Sequence, residues 1–117
     1  MLKLCRVDIN RSEEVFTKIE KYKGLVIKKL NPHAIILFGS FATGDFNEGS
    51  DVDILVIANF KEPFLDRIKL LLDLNEHFKL PLEPIGYTPQ EFQKMREAGS
   101  RFILEVEEKG KILYGKI

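Results

Sequence analysis

The stretch that decides the fold covers residues 33–58 and reads HAIILFGSFATGDFNEGSDVDILVIA. Two apolar runs, residues 33–38 and 51–58, stand at its ends, and such nearly continuous runs are typical of strands buried inside a sheet. Residues 39–50 between them are rich in Gly, Ser, Thr, Asp and Asn, which predicts a loop with one helical turn inside it. Because this connection is short, we expect the two strands to be antiparallel neighbours.

Two longer helices are predicted on either side of this stretch. Asn10 or Ser12 can cap the first one, and Asn31-Pro32 ends it, because the residue before a proline avoids the helical conformation. Pro63 fits the first position of the second helix, which covers about residues 62–79. We expect this second helix to turn an apolar face toward the core, made of Phe64, Leu65, Ile68, Leu71, Leu72 and Phe78.

The last third of the chain predicts two strands and two helices. Residues 82–87 form a third strand, and the prolines in and beside it favour a sheet edge, because proline cannot donate to a neighbouring strand. Residues 88–91, TPQE, form a capping box that opens a helix. Ser100 caps a last helix that Gly110 ends, and residues 111–114 add a short strand.

These elements predict an α/β fold, in which helices flank a mixed sheet of three main strands, and one domain over residues 1–117. A helix joins the second strand to the third, so these two strands should be parallel. The end of the first strand (Gly39-Ser40) then meets the starts of the second (Asp51, Asp53) and the third (Glu83). The sequence therefore predicts that a glycine-serine turn and three carboxylates converge at one end of the sheet.

The composition excludes several classes of protein. Of the 117 residues, 44% are apolar and 31% are charged, as in folded globular proteins. Equal numbers of basic and acidic residues, 18 each, argue against a protein that coats nucleic acid, although a local basic face stays open. The single Cys5 excludes an internal disulfide. The apolar runs are too short for a bilayer and residues 1–9 are interrupted by charges, so we expect a cytoplasmic protein without a membrane partner.

Asp51 and Asp53 lie two positions apart, so on a strand both side chains point to the same face. Like charges this close repel each other, and a divalent cation such as Mg²⁺ would offset the repulsion by binding carboxylate oxygens. The alternative is structural, with Asp51 ending the loop and Asp53 solvated at the start of the strand. The pair alone does not decide between the two.

Gly39-Ser40 and Glu83 also have two interpretations each. A glycine directly after a buried strand lets backbone amides approach a ligand, and the serine hydroxyl adds a donor, which favours phosphate binding. The pair can equally be an ordinary turn at the end of a strand. Glu83 lies in an apolar strand, where it could take part in a reaction or protect a sheet edge from aggregation.

Taken jointly, these positions resemble a known family. The spacing in GSFATGDFNEGSDVDILV is similar to the core motif of the minimal nucleotidyltransferases (MNT), a branch of the DNA polymerase beta nucleotidyltransferase superfamily. The fixed positions of that motif are all present here: Gly39, Ser40, Gly44, Ser50, Asp51 and Asp53. The segments TPQEF and ILYG near the end are also similar to that branch, so the resemblance covers essentially the whole chain.

The resemblance implies a reaction and the residues that carry it. A nucleoside monophosphate, in the first place AMP from ATP, would pass to an acceptor hydroxyl with release of pyrophosphate. Asp51, Asp53 and Glu83 would be catalytic and would hold two Mg²⁺ ions, with Glu83 on the side of the attacking hydroxyl. Gly39, Ser40 and Ser50 would bind the nucleotide.

The resemblance further implies a protein partner. MNT proteins often pair with HEPN-domain toxins and can modify them, and this chain lacks the R-x(4–6)-H-x-Y signature of the toxin, so it would be the MNT member of a pair. We expect Phe41 and Phe46 to be exposed beside the site and to form the docking surface. The alternative is that both rings fold back and cover the end of the sheet. The alternative function is an antitoxin that neutralises its partner by contact while its nucleotide site is weak or idle. The sequence leaves open whether copies of the chain associate into a homo-oligomer.

One departure from the family pattern concerns charge. Many relatives carry an arginine in the loop after the Gly-Ser pair, whereas residues 39–60 contain no Lys or Arg here. A triphosphate needs cations to balance its charge. Lys28, Lys29, Lys61, Arg67 or a partner subunit could supply one, and if none of them does, the protein would be a poor enzyme.

Overall fold

A computed structural model describes residues 12–117 of the chain. Asn10, the alternative cap of the first helix, and Cys5 lie outside the described residues. The elements are, in chain order, α1 (Ser12–Leu30), β1 (Ala34–Phe38), α2 (Ser40–Thr43), β2 (Val52–Ile57), α3 (Phe64–Asp73), β3 (Leu82–Tyr87), α4 (Pro89–Glu97), α5 (Arg101–Lys109) and β4 (Lys111–Gly115). None of the helices in this part of the chain is long and apolar enough to cross a membrane.

The strands form one mixed sheet in the order β3-β2-β1-β4. β1 pairs antiparallel with β2 and with β4, whereas β2 pairs parallel with β3. The predicted antiparallel and parallel pairs are therefore confirmed, and β3 lies at an edge, where its prolines are tolerated. β4 is a full partner of β1, so the sheet has a fourth strand beside the three main strands that we expected.

Helices cover both faces of this sheet. Because side chains alternate along a strand, Ile54 and Val56 pack into the core beneath α1 and α3, whereas Leu55 and Ile57 pack into the core beneath α4 and α5. Asp53 has the same parity as Leu55 and Ile57, so its side chain lies on the face that α4 and α5 cover. This parity explains how α5 can contribute to a site around Asp53.

The second long helix is shorter than predicted. Pro63 occupies the N-cap of α3 rather than its first helical position, and α3 ends at Asp73 rather than near Lys79. The buried side chain of Asn75 explains the early end. Its Nδ2 donates to the Leu80 carbonyl at 2.8 Å and its Oδ1 accepts from the Leu80 amide at 3.0 Å. These two bonds hold a turn where the helix was expected to continue.

The predicted core face of α3 is wrong in part. Leu71 is fully buried, but Phe64, Leu65 and Leu72 are 39%, 74% and 43% exposed. The helix turns Arg67 inward instead, one turn before Leu71. Three large apolar side chains of α3 therefore face outward.

Arg67 is tolerated inside because all its bonds are to fixed acceptors. Nη1 and Nη2 donate to the Glu91 carboxylate at 2.6 and 3.2 Å. Nε donates to the Glu62 carbonyl at 2.7 Å, and Nη1 donates to the Gly86 carbonyl at 3.1 Å. Glu91 also completes the predicted capping box with Thr88, which is confirmed. Such bidentate, charge-assisted bonds are strong, and they fix α3, β3 and α4 to one another.

Candidate active site

The site lies at the end of the sheet where β1 stops and where β2 and β3 start. In the register of the sheet Phe38 is paired with Asp53, and Asp53 is paired with Glu83. One aromatic ring and two carboxylates thus stand side by side on three neighbouring strands. The topology predicted from the sequence brings these residues together.

Gly39 allows the turn after β1 to pass directly against Asp53. Its backbone has φ 72° and ψ −156°, a region that essentially only glycine adopts. A Cβ added at Gly39 would overlap the Asp53 carboxylate. The Gly39-Ser40 turn and the carboxylate of β2 are therefore in contact, and α2 begins at Ser40.

Asp53 is the electrostatic centre of the site. The pKa of its carboxyl is raised from 3.8 to about 7, first by burial, then by a side-chain hydrogen bond with Glu83 and by the negative charges of Glu83 and Asp51. A carboxylate that neighbours only other carboxylates holds its proton more tightly, because the charged form is repelled. Glu83 and Asp51 therefore favour the protonated form of the Asp53 carboxyl.

Ser50 and Asp51 lie where the loop enters β2. The Ser50 hydroxyl accepts from the Asn47 amide at 2.8 Å, and Asn47 Oδ1 accepts from the Gly49 amide at 2.8 Å. These bonds close a tight turn directly before Asp51, which is exposed and acts on Asp53 through its charge. The structure thus gives Ser50 a role in shaping the loop, and its binding to a nucleotide stays a prediction.

Within residues 12–117 no group of three or more His, Cys, Asp and Glu side chains is arranged to hold a metal ion. The donor set nevertheless suits a hard divalent cation, because Mg²⁺ takes carboxylate oxygens and substrate phosphate as ligands. Such an ion would also relieve the repulsion that Glu83 and Asp51 exert on Asp53. The three carboxylates therefore fit the ion by their chemistry, and a full ligand set would require side chains to move from the positions seen here.

A cavity of about 470 Å³ opens beside Asp53 on the face that α5 covers, and we call it the α5 cavity. Its size is within the range of about 300–1,000 Å³ that is usual for small-molecule sites. Its lining residues are Phe38, Gly39, Ser40, Thr43, Asp45, Asp53, Phe102, Glu105, Val106 and Lys109. The rings of Phe38 and Phe102 meet edge to face at 5.2 Å and form an apolar wall, opposite which the hydroxyls of Ser40 and Thr43 supply polar groups.

A second cavity, of about 420 Å³, lies on the other side of Asp53, toward the edge of the sheet. We call it the α3 cavity, because Phe64, Ile68 and Leu72 of α3 form one of its walls. Residues 82–85 of β3, with Glu83 among them, form another wall. Phe38 and Asp53 line both cavities. A molecule in one cavity would therefore meet a molecule in the other at the Asp53 carboxylate.

The prediction that Phe41 and Phe46 are exposed is wrong. Phe41 is 1% exposed, and Phe46 stacks on it with ring centroids 4.5 Å apart. Phe16 of α1 meets both rings edge to face, at 5.7 and 5.9 Å. The loop rings are thus part of the core under α1, because three aromatic side chains bury one another there.

Two residues of the site were not identified from the motif. Phe38 is the last residue of β1 and lies between the two cavities. Lys109 is the last residue of α5 and reaches the α5 cavity from a distant part of the chain. The available signal for Lys109 is Gly110, since it ends the helix directly before the strand that pairs with β1.

Comparisons with known proteins agree with this geometry. Residues 20–116 match the family described as Polymerase beta, Nucleotidyltransferase. The protein named “Putative protein adenylyltransferase MJ0604”, from Methanocaldococcus jannaschii, is 33% identical over 94 residues, which cover 80% of this chain and 84% of that protein.

Solved structures share the fold as well. A crystal structure of a toxin-antitoxin with AMP-PNP gives a TM-score of 0.61 at 24% identity, over 83% of this chain and 73% of that one. A crystal structure of a mutant toxin-antitoxin MntA-HpeT gives a TM-score of 0.59 at 23% identity, over 82% and 71% of the two chains. These structures show the same α/β architecture. Since the family match extends over most of its length, the chain belongs to the polymerase beta nucleotidyltransferases, the superfamily whose minimal branch its Gly-Ser and Asp-x-Asp motif resembles.

Proposed function

We propose that this nucleotidyltransferase moves AMP from ATP, with Mg²⁺, to a hydroxyl group of a separate protein of the HEPN toxin type. The observation that carries the proposal is the pairing of Asp53 with Glu83 on the wall between two cavities. One cavity can take the nucleotide and the other can take the acceptor, so that the reacting groups are held next to each other.

The α5 cavity suits the nucleotide. Gly39 and Ser40 line this cavity, the hydroxyls of Ser40 and Thr43 can donate to phosphate oxygens, and the wall of Phe38 and Phe102 can cover an apolar part of the nucleoside. Asp51, Asp53 and Glu83 would hold Mg²⁺, which when bound neutralises charge on the triphosphate and on the leaving pyrophosphate.

The acceptor hydroxyl would enter from the α3 cavity, where Glu83 is exposed. Glu83 would accept the proton of this hydroxyl as its oxygen bonds to the α-phosphorus of ATP and the bond to pyrophosphate breaks. Asp53, fixed between Phe38 and Glu83, keeps the two substrates at one point. The chain thus contributes position and charge rather than a covalent intermediate.

The exposed apolar side chains of α3 support a protein as the acceptor. Phe64, Leu65 and Leu72 lie around the α3 cavity or on the same helix, and they are exposed. Contiguous apolar side chains beside a reactive carboxylate are typical of a surface that another protein covers. This surface takes the role that we first expected of Phe41 and Phe46. The name of the M. jannaschii relative, a protein adenylyltransferase, and the two toxin-antitoxin structures favour the same kind of partner.

The alternative is an antitoxin that acts by contact alone, with a weak or idle nucleotide site. Two observations favour it: residues 39–60 carry no basic side chain, and the carboxylates of the described residues do not form a ready set of metal ligands. In this alternative the exposed face of α3 would still bind the partner, but the α5 cavity would stay without a productive nucleotide.

Two measurements test the proposal. A melting curve with and without Mg-ATP should show stabilisation of the native protein by mass action, and Asp51→Asn with Asp53→Asn should remove this response. Co-expression with the product of the neighbouring reading frame, followed by intact mass measurement, should show that the partner gains the mass of AMP. A stable complex without added mass would favour the alternative, and no melting shift at millimolar Mg-ATP would contradict the nucleotide site.

A further inference from the structure

The cations that the sequence offered for the triphosphate do not reach the site. Lys28 and Lys29 lie at the end of α1, which precedes the start of β1. Lys61 follows β2, whose last residue is paired with the first residue of β1. These three lysines therefore belong to the opposite end of the sheet, about 17 Å away along a five-residue strand.

Arg67 is also unavailable. Its guanidinium is buried and donates to Glu91, Gly86 and Glu62. Gly86 lies near the end of β3, again far from Asp53. Moving Arg67 to a phosphate would break its ion pair and would leave the Glu91 carboxylate without its cation, which is costly.

We propose that Lys109 is the residue that binds the β- and γ-phosphates of the nucleoside triphosphate in the α5 cavity. This inference rests on the proposed function and names the charge that the motif lacks. Among the residues of the described chain that line the cavity, Lys109 is the one with a positive charge, whereas Asp45, Asp53 and Glu105 are acidic. A polyphosphate bound there therefore has one direct counter-charge from the protein.

The position of Lys109 is fixed although its ammonium group is free to move. Gly110 ends α5 directly after Lys109, and Lys111 opens β4 opposite Leu37 of β1. Pairing of β4 with β1 thus holds the end of α5 at the end of the sheet that carries the site. The ammonium group itself lies 4.0 Å from Glu105 Oε1, and both side chains are more than half exposed. Such a surface pair contributes little, so Lys109 can exchange Glu105 for phosphate at small cost.

Lys111 supplies a matched control. It is separated from Lys109 by one glycine and carries the same charge. It is paired with Leu37, which packs into the core beneath α1, so the alternation of the strand directs Lys111 to the face opposite Asp53. If positive charge acts on Mg-ATP binding from a distance, removing either lysine should weaken the affinity. If Lys109 contacts the phosphates directly, only the removal of Lys109 should weaken it.

The test compares the binding of Mg-ATP and Mg-AMP by titration calorimetry at physiological salt, in the native protein, Lys109→Ala, Lys109→Arg and Lys111→Ala. Loss of a charge-assisted phosphate contact should weaken Mg-ATP binding by about tenfold or more in Lys109→Ala. Mg-AMP binding should change little, because AMP lacks the β- and γ-phosphates. Lys109→Arg should restore the affinity for Mg-ATP, and Lys111→Ala should match the native protein.

The outcomes separate this inference from the proposed function. If the native protein binds Mg-ATP and modifies its partner while Lys109→Ala binds it equally well, the assignment of Lys109 is wrong and the function stands. Equal losses in Lys109→Ala and Lys111→Ala would also overturn the assignment, because they would point to charge at a distance. Native protein that binds no nucleotide would remove the proposed function and the inference with it.

Discussion

Asp53 is a residue whose surroundings disfavour its charged form in the folded protein. It stands between Phe38 and Glu83 in the sheet, touches the Gly39 turn, and neighbours two further carboxylates. Its folded pKa of about 7 lies above its ordinary value of 3.8. The folded state therefore binds more protons than the unfolded state between these values, and the stability of the metal-free protein falls as the pH rises from about 4 to about 7.

Asp53→Asn should consequently raise the melting temperature of the metal-free protein at pH 8, and under the proposed function it should also abolish nucleotide transfer. The amide keeps the shape of the side chain and removes a charge that Glu83 and Asp51 repel. Melting curves at pH 4 and pH 8 check this, with the gain expected at pH 8. Glu76→Gln, a change at an exposed carboxylate outside the site, is the control. A lower melting temperature for Asp53→Asn at pH 8 would contradict the repulsion.

Glu83→Gln distinguishes a catalytic carboxylate from one that only protects a sheet edge. Glu83 is exposed on the edge strand and its partner in the register is Asp53. If Glu83 takes the proton of the acceptor hydroxyl, its change to Gln should lower the rate of transfer by about 10²-fold or more. Binding of Mg-ATP should persist. Pyrophosphate release with the partner present measures the first quantity, and unchanged turnover in the variant would return Glu83 to a structural role.

At the scale of elements, α3 shows where sequence patterns predict well and where they do not. Its start near Pro63 and its connection between two parallel strands follow from local signals and from topology. Its early end and its exposed apolar side chains depend on contacts with distant residues, since Asn75 binds Leu80 and Arg67 binds Glu91. Apolar spacing alone could not identify an arginine as the inward residue, because the pairing that makes its burial tolerable lies 24 residues away.

The pair of Arg67 and Glu91 should make stability depend on acid pH. Hydrogen bonds with Arg67 lower the pKa of Glu91 below 4.5. Because the folded pKa lies below the unfolded one, the stabilisation is present above about pH 4.5 and is lost as the pH falls through the folded pKa. Glu91→Gln should therefore lower the free energy of unfolding at pH 7 by about 2 kcal/mol. This is the contribution of a hydrogen bond between charged groups, reduced because solvent reaches the pair.

Denaturant unfolding at a series of pH values measures this difference. The gap between native protein and Glu91→Gln should close as the pH falls through the lowered pKa of Glu91, because the native carboxyl then loses its charge. Glu97→Gln, an exposed change on the same helix α4, should leave stability unchanged at both ends of the range. A gap that is independent of pH would show that the capping box rather than the ion pair stabilises the fold.

The outward face of α3 should be required for the partner and not for the fold. Leu65 is 74% exposed, so Leu65→Gln should change the free energy of unfolding by no more than about 0.5 kcal/mol. Combined with Leu72→Gln, it should reduce transfer of AMP to the partner at least tenfold while Mg-ATP binding stays normal. Leu104→Gln, at a residue 52% exposed on α5, is the matched control. If the substitutions on α3 and α5 reduce transfer of AMP equally, the partner does not bind specifically to the outward face of α3.

At the scale of the whole molecule, the local patterns predicted the sheet, and topology predicted the site. The two buried strands, the parallel third strand and the convergence of Gly39, Asp53 and Glu83 required only short-range signals and the rule for crossovers. The burial of Phe41 and Phe46 could not be predicted in this way, because it depends on contacts with Phe16, which lies far earlier in the chain. The same is true of Lys109, whose place depends on β4 as a full strand of the sheet.

The connection from α5 to β4 should couple ligand binding in the α5 cavity to the mobility of β4. Gly110 alone separates the two elements, and a Cβ at this position would overlap the Val106 carbonyl. The connection is therefore short and closely packed. Any ligand that holds Lys109 must also restrain the edge strand that starts at Lys111. Hydrogen–deuterium exchange should therefore slow at the β4 amides when Mg-ATP binds, at the opposite edge from β3. Exchange in β4 that is indifferent to nucleotide would show that the two elements move independently.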